Sequence, residues 1–432
     1  MPHIEPTLRS WVSWSWLLLG WLVSRAASLA VWLFVVPVMS GDVDYYFKHM
    51  HAHLALGVPA AATMPEYPTP VLWVLVLPYL LGAGTALGFK IAFVGLMLAL
   101  DLFFTVLLRR GPSPSAAWYW VGFGLALGPI IYLRLDLLPA LGAAGAIIAL
   151  AAGRYRTSGV LLGLGAGLKV WPATVYPITF SGQRNRDHRI TVSFFVTGVA
   201  LVIAALVYGG WGRLISPLQW QSGRGLQIES AWATVPMVAR LFSPGYSVSL
   251  SRWQAYEVFG PGVAGWLTFA NVLGVLGYVA FVVGYVFWFR TAYPGAFARR
   301  PRLVENPSPI TIELIAFAAV TLITITLITN KTFSPQYLTW LGAATAVFWL
   351  VAGPDSSLRW TTRITGVWVL VLAVATQVVY PIGYDALVRP SVWDPAVTTV
   401  LAVRNVLLIA LGVWLLLQLA LRRKTARAAI TH

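Results

Sequence analysis

WVSWSWLLLGWLVSRAASLAVWLFVVPV, the stretch from Trp11 to Val38, is one apolar run broken by a single charge, Arg25. About twenty such residues span the hydrocarbon of a bilayer as a helix. This run is too long for a signal-peptide core and has no small-residue cleavage site before Asp42, so it reads as a retained membrane anchor. Working outward from it, comparable runs recur near 69–86, 88–108, 115–132, 135–152, 159–181 and 190–209, then one ending at Arg290, then 310–328, 336–352, 364–381 and 397–421. The expectation is an all-α polytopic membrane protein of about twelve transmembrane helices, with juxtamembrane helices in its first extracytoplasmic loop. Residues 1–432 form a single domain, with polar loops at 39–68 and 210–261 and no soluble domain.

Composition supports this class. Hydrophobic residues make up 58% and charged residues 10%, far from the soluble norm of about 25% charged. The net charge of +16 lies in short clusters between apolar runs, with no basic face interleaved with aromatics, which argues against nucleic acid. With no cysteine, disulfides, thiolate chemistry and cysteine metal sites are excluded. Basic clusters mark cytoplasmic loops: 183–189, Arg299-Arg300-Pro301-Arg302, Arg359 with Arg363, and Arg422-Arg423-Lys424. Both termini then lie in the cytoplasm and the 39–68 loop outside. The same count puts Arg109-Arg110 and Arg154-Tyr155-Arg156 outside, against the bias. A break around Leu168-Lys169-Val170-Trp171-Pro172 would revise the local topology. Neither internal repeats nor inverted halves are evident.

Three polar stretches fall on the outer side of this topology. Gly41-Asp42-Val43-Asp44-Tyr45-Tyr46 places two carboxylates together in a chain with only 14 acidic residues. On a helix they point nearly opposite ways. Asp42 shares its side with Tyr45, Tyr46, His49 and His53, whereas Asp44 has Lys48 one turn on as a neutralising partner. A plainer role, capping and solubilising a juxtamembrane helix, is also open to both. His49 and His53 share a side without a third ligand, so no metal is expected. The second stretch runs from Arg224 to Ser230 and on to Trp232; the third runs from Asn330 through Lys331 to Gln336 and Tyr337. Each sets a cation beside amide and hydroxyl groups at the membrane surface, which is equipment for a lipid phosphate. Ionisable groups within apolar runs are costly and need partners; they are Arg25, Lys90, Asp101, Arg134, Asp136, Lys169 and Arg404.

Gly41 to Tyr46, Glu66-Tyr67-Pro68-Thr69-Pro70, Gly128-Pro129 with Tyr132 to Asp136, Leu168 to Pro172, Arg224 to Ser230 and Lys331 to Tyr337 together resemble a polyprenyl-phosphate-sugar-dependent glycosyltransferase of the GT-C superfamily, most like glycosyltransferase family 87 of actinobacteria. The succession covers nearly the whole chain, although each motif is weak alone. The chain departs from the pattern at Tyr67-Pro68-Thr69-Pro70, where many members have Tyr-Pro-Pro, and in the extra acid Asp44. The resemblance implies a GT-C fold and a multi-pass plasma-membrane enzyme of cell-envelope biosynthesis. Asp42 would be the catalytic base, with Tyr46 at the family's spacing and Asp44 a secondary acid. Arg224 and Lys331, then Arg404, then Arg25, would bind the donor phosphate. Tyr45, Tyr46, His49, Glu229, Trp232, Gln336 and Tyr337 would contact sugar or acceptor. Neither cofactor nor metal is implied. The partners would be a polyprenyl-phosphate sugar donor, a glycolipid or polysaccharide acceptor, and membrane lipids. Mannose is the favoured sugar, with arabinofuranose the alternative. Readings from other classes are a lipid or glycan transporter or flippase, and a non-catalytic assembly or channel subunit.

Overall fold

The computed structural model describes residues 8–181, 183–292, 309–353, 356–389 and 391–430. The cluster at 299–302 lies outside them. In chain order the helices are α1 (Leu8–Ala30), α2 (Gly41–Leu54), α3 (Thr69–Leu81), α4 (Ala86–Arg110), α5 (Ser115–Leu127), α6 (Leu137–Ala151), α7 (Tyr155–Leu168) and α8 (Arg184–Gly223), with a 3-10 stretch at Trp171–Thr179 before α8. Then come α9 (Thr234–Ala239), the strands β1 (Ser247–Leu250) and β2 (Tyr256–Phe259), α10 (Val263–Ala292), α11 (Pro309–Thr329), α12 (Leu338–Val351), α13 (Arg359–Gln377), α14 (Tyr384–Val388) and α15 (Asp394–Ile430). The antiparallel β1–β2 hairpin is the one departure from an all-α chain among the described residues. Seven helical stretches are long and apolar enough to cross a membrane: Trp14–Val35, Ala86–Arg110, Arg184–Gly223, Val263–Phe287, Ile312–Thr329, Arg359–Ile382 and Asp394–Leu421. The chain is a helical membrane protein. The other expected spans are shorter helices.

Two ends of the bundle can be told apart by their contacts. At one end the Arg109 guanidinium lies 5.2 Å from the ring of Trp14, and Trp349 donates to Ser115 Oγ at 3.0 Å. Ser356 donates to Glu313 at 2.6 Å, and Arg186 lies 6.0 Å from the ring of Tyr155. Leu150, Tyr155, Ile190, Ile312 and Ile315 share one buried cluster there. This end therefore gathers Arg109, Arg154 with Arg156, the 183–189 run and the start of α13. At the other end lie Asp42, the Arg134–Asp136 turn, Lys169, the loop after α8 and the turn between α11 and α12.

This grouping sets Arg109-Arg110 and Arg154-Tyr155-Arg156 at the same end as the 183–189 run, where the sequence expectation set them opposite it. Helix α3 does not carry the chain between the ends. It starts beside Tyr46, through Tyr67, and finishes still beside α2, where Tyr79 meets His51 at 3.1 Å and the ring of Phe47. A tight turn at Gly82 then returns the chain, because any side chain there would strike the backbone of Gly88 and Phe89. The expected single span at 159–181 is instead two limbs. Helix α7 rises to Lys169, where the backbone becomes extended, and the 3-10 stretch descends until Thr179 O accepts from Arg186 at 3.1 Å. The loop expected at 210–261 is helical as far as Gly223. Helix α8 turns at Gly210 (φ 73, ψ −179), a conformation open almost only to glycine.

One fully buried ion pair ties α1 to α4. Arg25 of α1 meets Asp101 of α4 through two contacts of 2.8 and 2.9 Å. The same carboxylate accepts from the indoles of Trp21 and Trp120 at 2.6 Å each. Small residues let the helices close around the pair: a Cβ on Gly124 would strike the Arg25 guanidinium.

Candidate active site

A cavity of about 840 Å³ opens at the end away from the basic clusters. Helix α2 supplies its first wall. Val43, Tyr46 and Met50 are buried at helical spacing, and their burial is worth about 1.5–3 kcal/mol each. That leaves Asp42 and Tyr45, one turn apart, on the cavity side. Tyr46 is thereby turned away: its ring packs on Phe93 and its hydroxyl lies 3.0 Å from that of Tyr67. Tyr45 donates to Glu66 at 2.6 Å. Burial and then that carboxylate raise the Tyr45 phenol well above its ordinary value, so it stays neutral.

Asp42 is not a free carboxylate. It is ion-paired with Arg134, whose side chain is 9% exposed against 43% for Asp42. Arg134 also donates to Tyr380 at 2.7 Å. Burial opposes the charge on Arg134, yet Asp42 and the surrounding phenols outweigh it and hold its pKa above the usual value. Asp44 faces elsewhere. Its partner is Lys90 of α4 at 2.8 Å, not Lys48, with the carboxylate half exposed; Lys90 also reaches Ser40 at 3.0 Å. Helix α4 crosses the start of α2 and presents an ammonium with a second acceptor beside it, which the one-turn pair lacks.

A second ion pair stands in the same wall. Lys169 meets Asp136 at 2.7 Å, Trp340 donates to that carboxylate at 2.8 Å, and the ammonium lies 4.3 Å from the Tyr337 ring and 5.0 Å from the Trp340 ring. Arg134, Asp136 and Lys169 line the cavity but are absent from the site proposed from sequence. The signal available was that ionisable groups in apolar runs need partners; which groups pair is set by tertiary packing.

Arg224, Lys331, Glu229 and Gln336 also line the cavity, as does Tyr337 beside Lys169. Arg224 reaches Trp253 O at 3.4 Å and Lys331 donates to Ser222 O at 3.0 Å. Neither forms an ion pair among the described residues. Burial lowers the Lys331 pKa, Glu257 partly restores it, and Arg224 lowers it further. Glu229 is 1% exposed, and burial pushes its carboxyl up to about 8 against the pull of Arg404 and Arg134. The wall towards the bundle is apolar, with Val275 and Tyr278 of α10, Ile325 of α11 and Val170. Three comparisons found no likeness. No family model matches the chain, and neither a curated protein nor a solved structure does.

Four of the residues expected at the site stand outside the cavity lining besides Tyr46 and Asp44. Arg25 is committed to Asp101 inside the bundle. Arg404 lies behind Glu229 and donates to its backbone carbonyl at 2.8 Å, its charge 4.3 Å from the ring of Phe333. Trp232 stacks on Trp266 and meets Phe269 edge to face. His49 packs on the outer side of Tyr45, ring centroids 4.2 Å apart. His53 Nδ1 donates to Val58 O at 2.7 Å, and its Nε2 lies 2.6 Å from the Tyr208 hydroxyl.

Proposed function

We propose that the protein is an inverting glycosyltransferase that takes a sugar, with mannose favoured over arabinofuranose, from a polyprenyl-phosphate donor to a glycolipid or cell-envelope glycan. The observation that carries the reading is Asp42, a carboxylate backed by a buried guanidinium, in the wall of a large cavity that also holds two cations without ion pairs among the described residues. An acceptor hydroxyl attacks the anomeric carbon, its proton passes to Asp42, and the bond to the phosphate oxygen breaks as polyprenyl phosphate leaves from the opposite face. General-base assistance of this kind contributes about 10²–10⁴ in rate. Charge on the departing phosphate meets Arg224 and Lys331, with Lys169 added by its place in the lining, an electrostatic contribution preorganised before reaction. The polyprenyl chain lies along the apolar wall of α10 and α11.

The positive-inside bias favours the basic end in the cytoplasm and the cavity outside, and the family resemblance favours the plasma membrane. Twelve limbs run between the two ends among the described residues: α1, α4, α5, α6, α7, the 3-10 stretch, α8, α10, α11, α12, α13 and α15. That supports twelve crossings and a GT-C-type bundle with both termini inside. The transporter reading has less support, because the polar groups gather at one end.

The test is transfer from labelled polyprenyl-phosphomannose and polyprenyl-phosphoarabinofuranose by the purified protein. Asp42→Asn is expected to lose about 10²–10⁴ in kcat, and Asp44→Asn to stay near the native rate. Full activity of Asp42→Asn would sink the assignment.

A further inference from the structure

Glu229 and Gln227 present the one place in the cavity lining where two side-chain oxygens are both buried and unmatched among the described residues. Glu229 Oε1 and Gln227 Oε1 have no hydrogen-bond partner, and both residues line the cavity. What holds them is weak: the Gln227 amide reaches Glu229 Oε2 at 3.4 Å and Ser334 Oγ at 3.3 Å. Their backbone is firmly fixed. Gln227 N donates to Lys331 O at 3.0 Å, Ile228 N donates to Tyr256 O at 3.1 Å, Arg404 holds the carbonyl of Glu229, and Asn405 holds that of Ser230 at 3.1 Å. A rigid backbone that carries unmatched buried oxygens is costly unless something else fills the need, since a buried polar group without a partner loses about 1–3 kcal/mol. Native proteins leave few such groups.

We propose that Gln227 and Glu229 form a hydroxyl-recognition subsite that takes neighbouring hydroxyls of a sugar ring. The proposal rests on the glycosyl-transfer reading and names the substrate group that this part of the cavity reads. A sugar hydroxyl both donates and accepts, and so matches an amide beside a carboxyl. Near neutral pH the Glu229 carboxyl holds a proton, because burial pushes it up to about 8, and it then sets a donor beside an acceptor, as the amide of glutamine also does. A phosphate is a poor fit here, having acceptors only. The subsite therefore belongs to the sugar and not to the leaving group.

The two sources of such hydroxyls, donor sugar and acceptor sugar, are separated by deoxygenated probes. Binding is measured for the native full-length protein, Glu229→Gln and Glu229→Ala, with polyprenyl phosphate alone, with polyprenyl-phosphomannose, with its monodeoxy analogues and with monodeoxy mannoside acceptors. All three proteins are expected to bind polyprenyl phosphate equally, which also shows that they are folded. Glu229→Ala is expected to bind one sugar-bearing probe about tenfold more weakly than the native protein, and Glu229→Gln to remain within about threefold. One deoxy probe, donor or acceptor, is expected to bind the native protein as weakly as Glu229→Ala and to lose nothing more from the substitution; its identity names the source. If native protein binds the sugar donors and Glu229→Ala binds every probe as tightly, the subsite is overturned while the glycosyl-transfer reading stands. If native protein binds neither polyprenyl phosphate nor its sugars, that reading falls and the subsite with it.

Discussion

Glu229 gives the site a pH signature that can be read without substrate. Its carboxyl rises from 4.5 to about 8 on folding, chiefly through burial, so between those values the folded protein keeps a proton that the unfolded chain has released. The associated stability is full below about pH 4.5 and is lost as pH climbs through 8. Glu229→Gln is expected to flatten that decline in melting temperature; an unchanged slope would mean that the carboxyl is not held in this state. Arg134 is the other decisive side chain. Removing it as Arg134→Ala leaves Asp42 without its partner and is expected to lower kcat at least about tenfold, with partial recovery in Arg134→Lys, measured as transfer from a labelled donor. The pairing of Asp42 and Tyr45 on one wall was legible from helical spacing alone. The loss of Tyr46 to the core was not, because its position lies between the two faces and Phe93 decides it. Likewise the choice of Lys90 over Lys48 for Asp44 depends on where α4 crosses.

Among the elements, α3 and the limb after α7 show what hydropathy leaves open. A 13-residue apolar helix has the composition of a span whether it crosses a bilayer or lies against neighbours, and only its partners in α2 reveal the second case. The break at Lys169 lies just before Pro172, which sits in the first turn of the 3-10 stretch, a place that suits proline. What the residues did not announce is that the nine residues of the 3-10 stretch, extended in rise per residue beyond an α-helix, continue back to the basic end. Gly210 offers a clean test of the bend in α8. No atom lies within 4 Å of a Cβ built there, so Gly210→Ala probes backbone conformation alone and is expected to cost about 1–3 kcal/mol, read as a lowered melting temperature. A neutral result would mean that α8 can straighten without loss.

On the scale of the whole molecule, the chain is its own reporter for topology, since it contains no cysteine. Single cysteines at Arg110, Arg156 and Phe242, all exposed positions, are expected to divide in intact cells: an impermeant maleimide labels Phe242→Cys, and the other two only after permeabilisation. Labelling of Arg110→Cys from outside would restore α3 as a crossing. The seven long apolar helices were legible in the apolar runs, whereas the packing of α3 against α2 and the two limbs within 159–181 were not. The pair formed by Arg25 and Asp101 has a consequence for how the molecule is made. Its members lie 76 positions apart, and a lone arginine in mid-span costs about 2.5–3.5 kcal/mol on insertion. The first span therefore carries an unmatched charge while it is the only one synthesised, and gains its partner when α4 leaves the ribosome. A chain cut short before Asp101 would be expected to hold the first span in the membrane less firmly than the full-length protein.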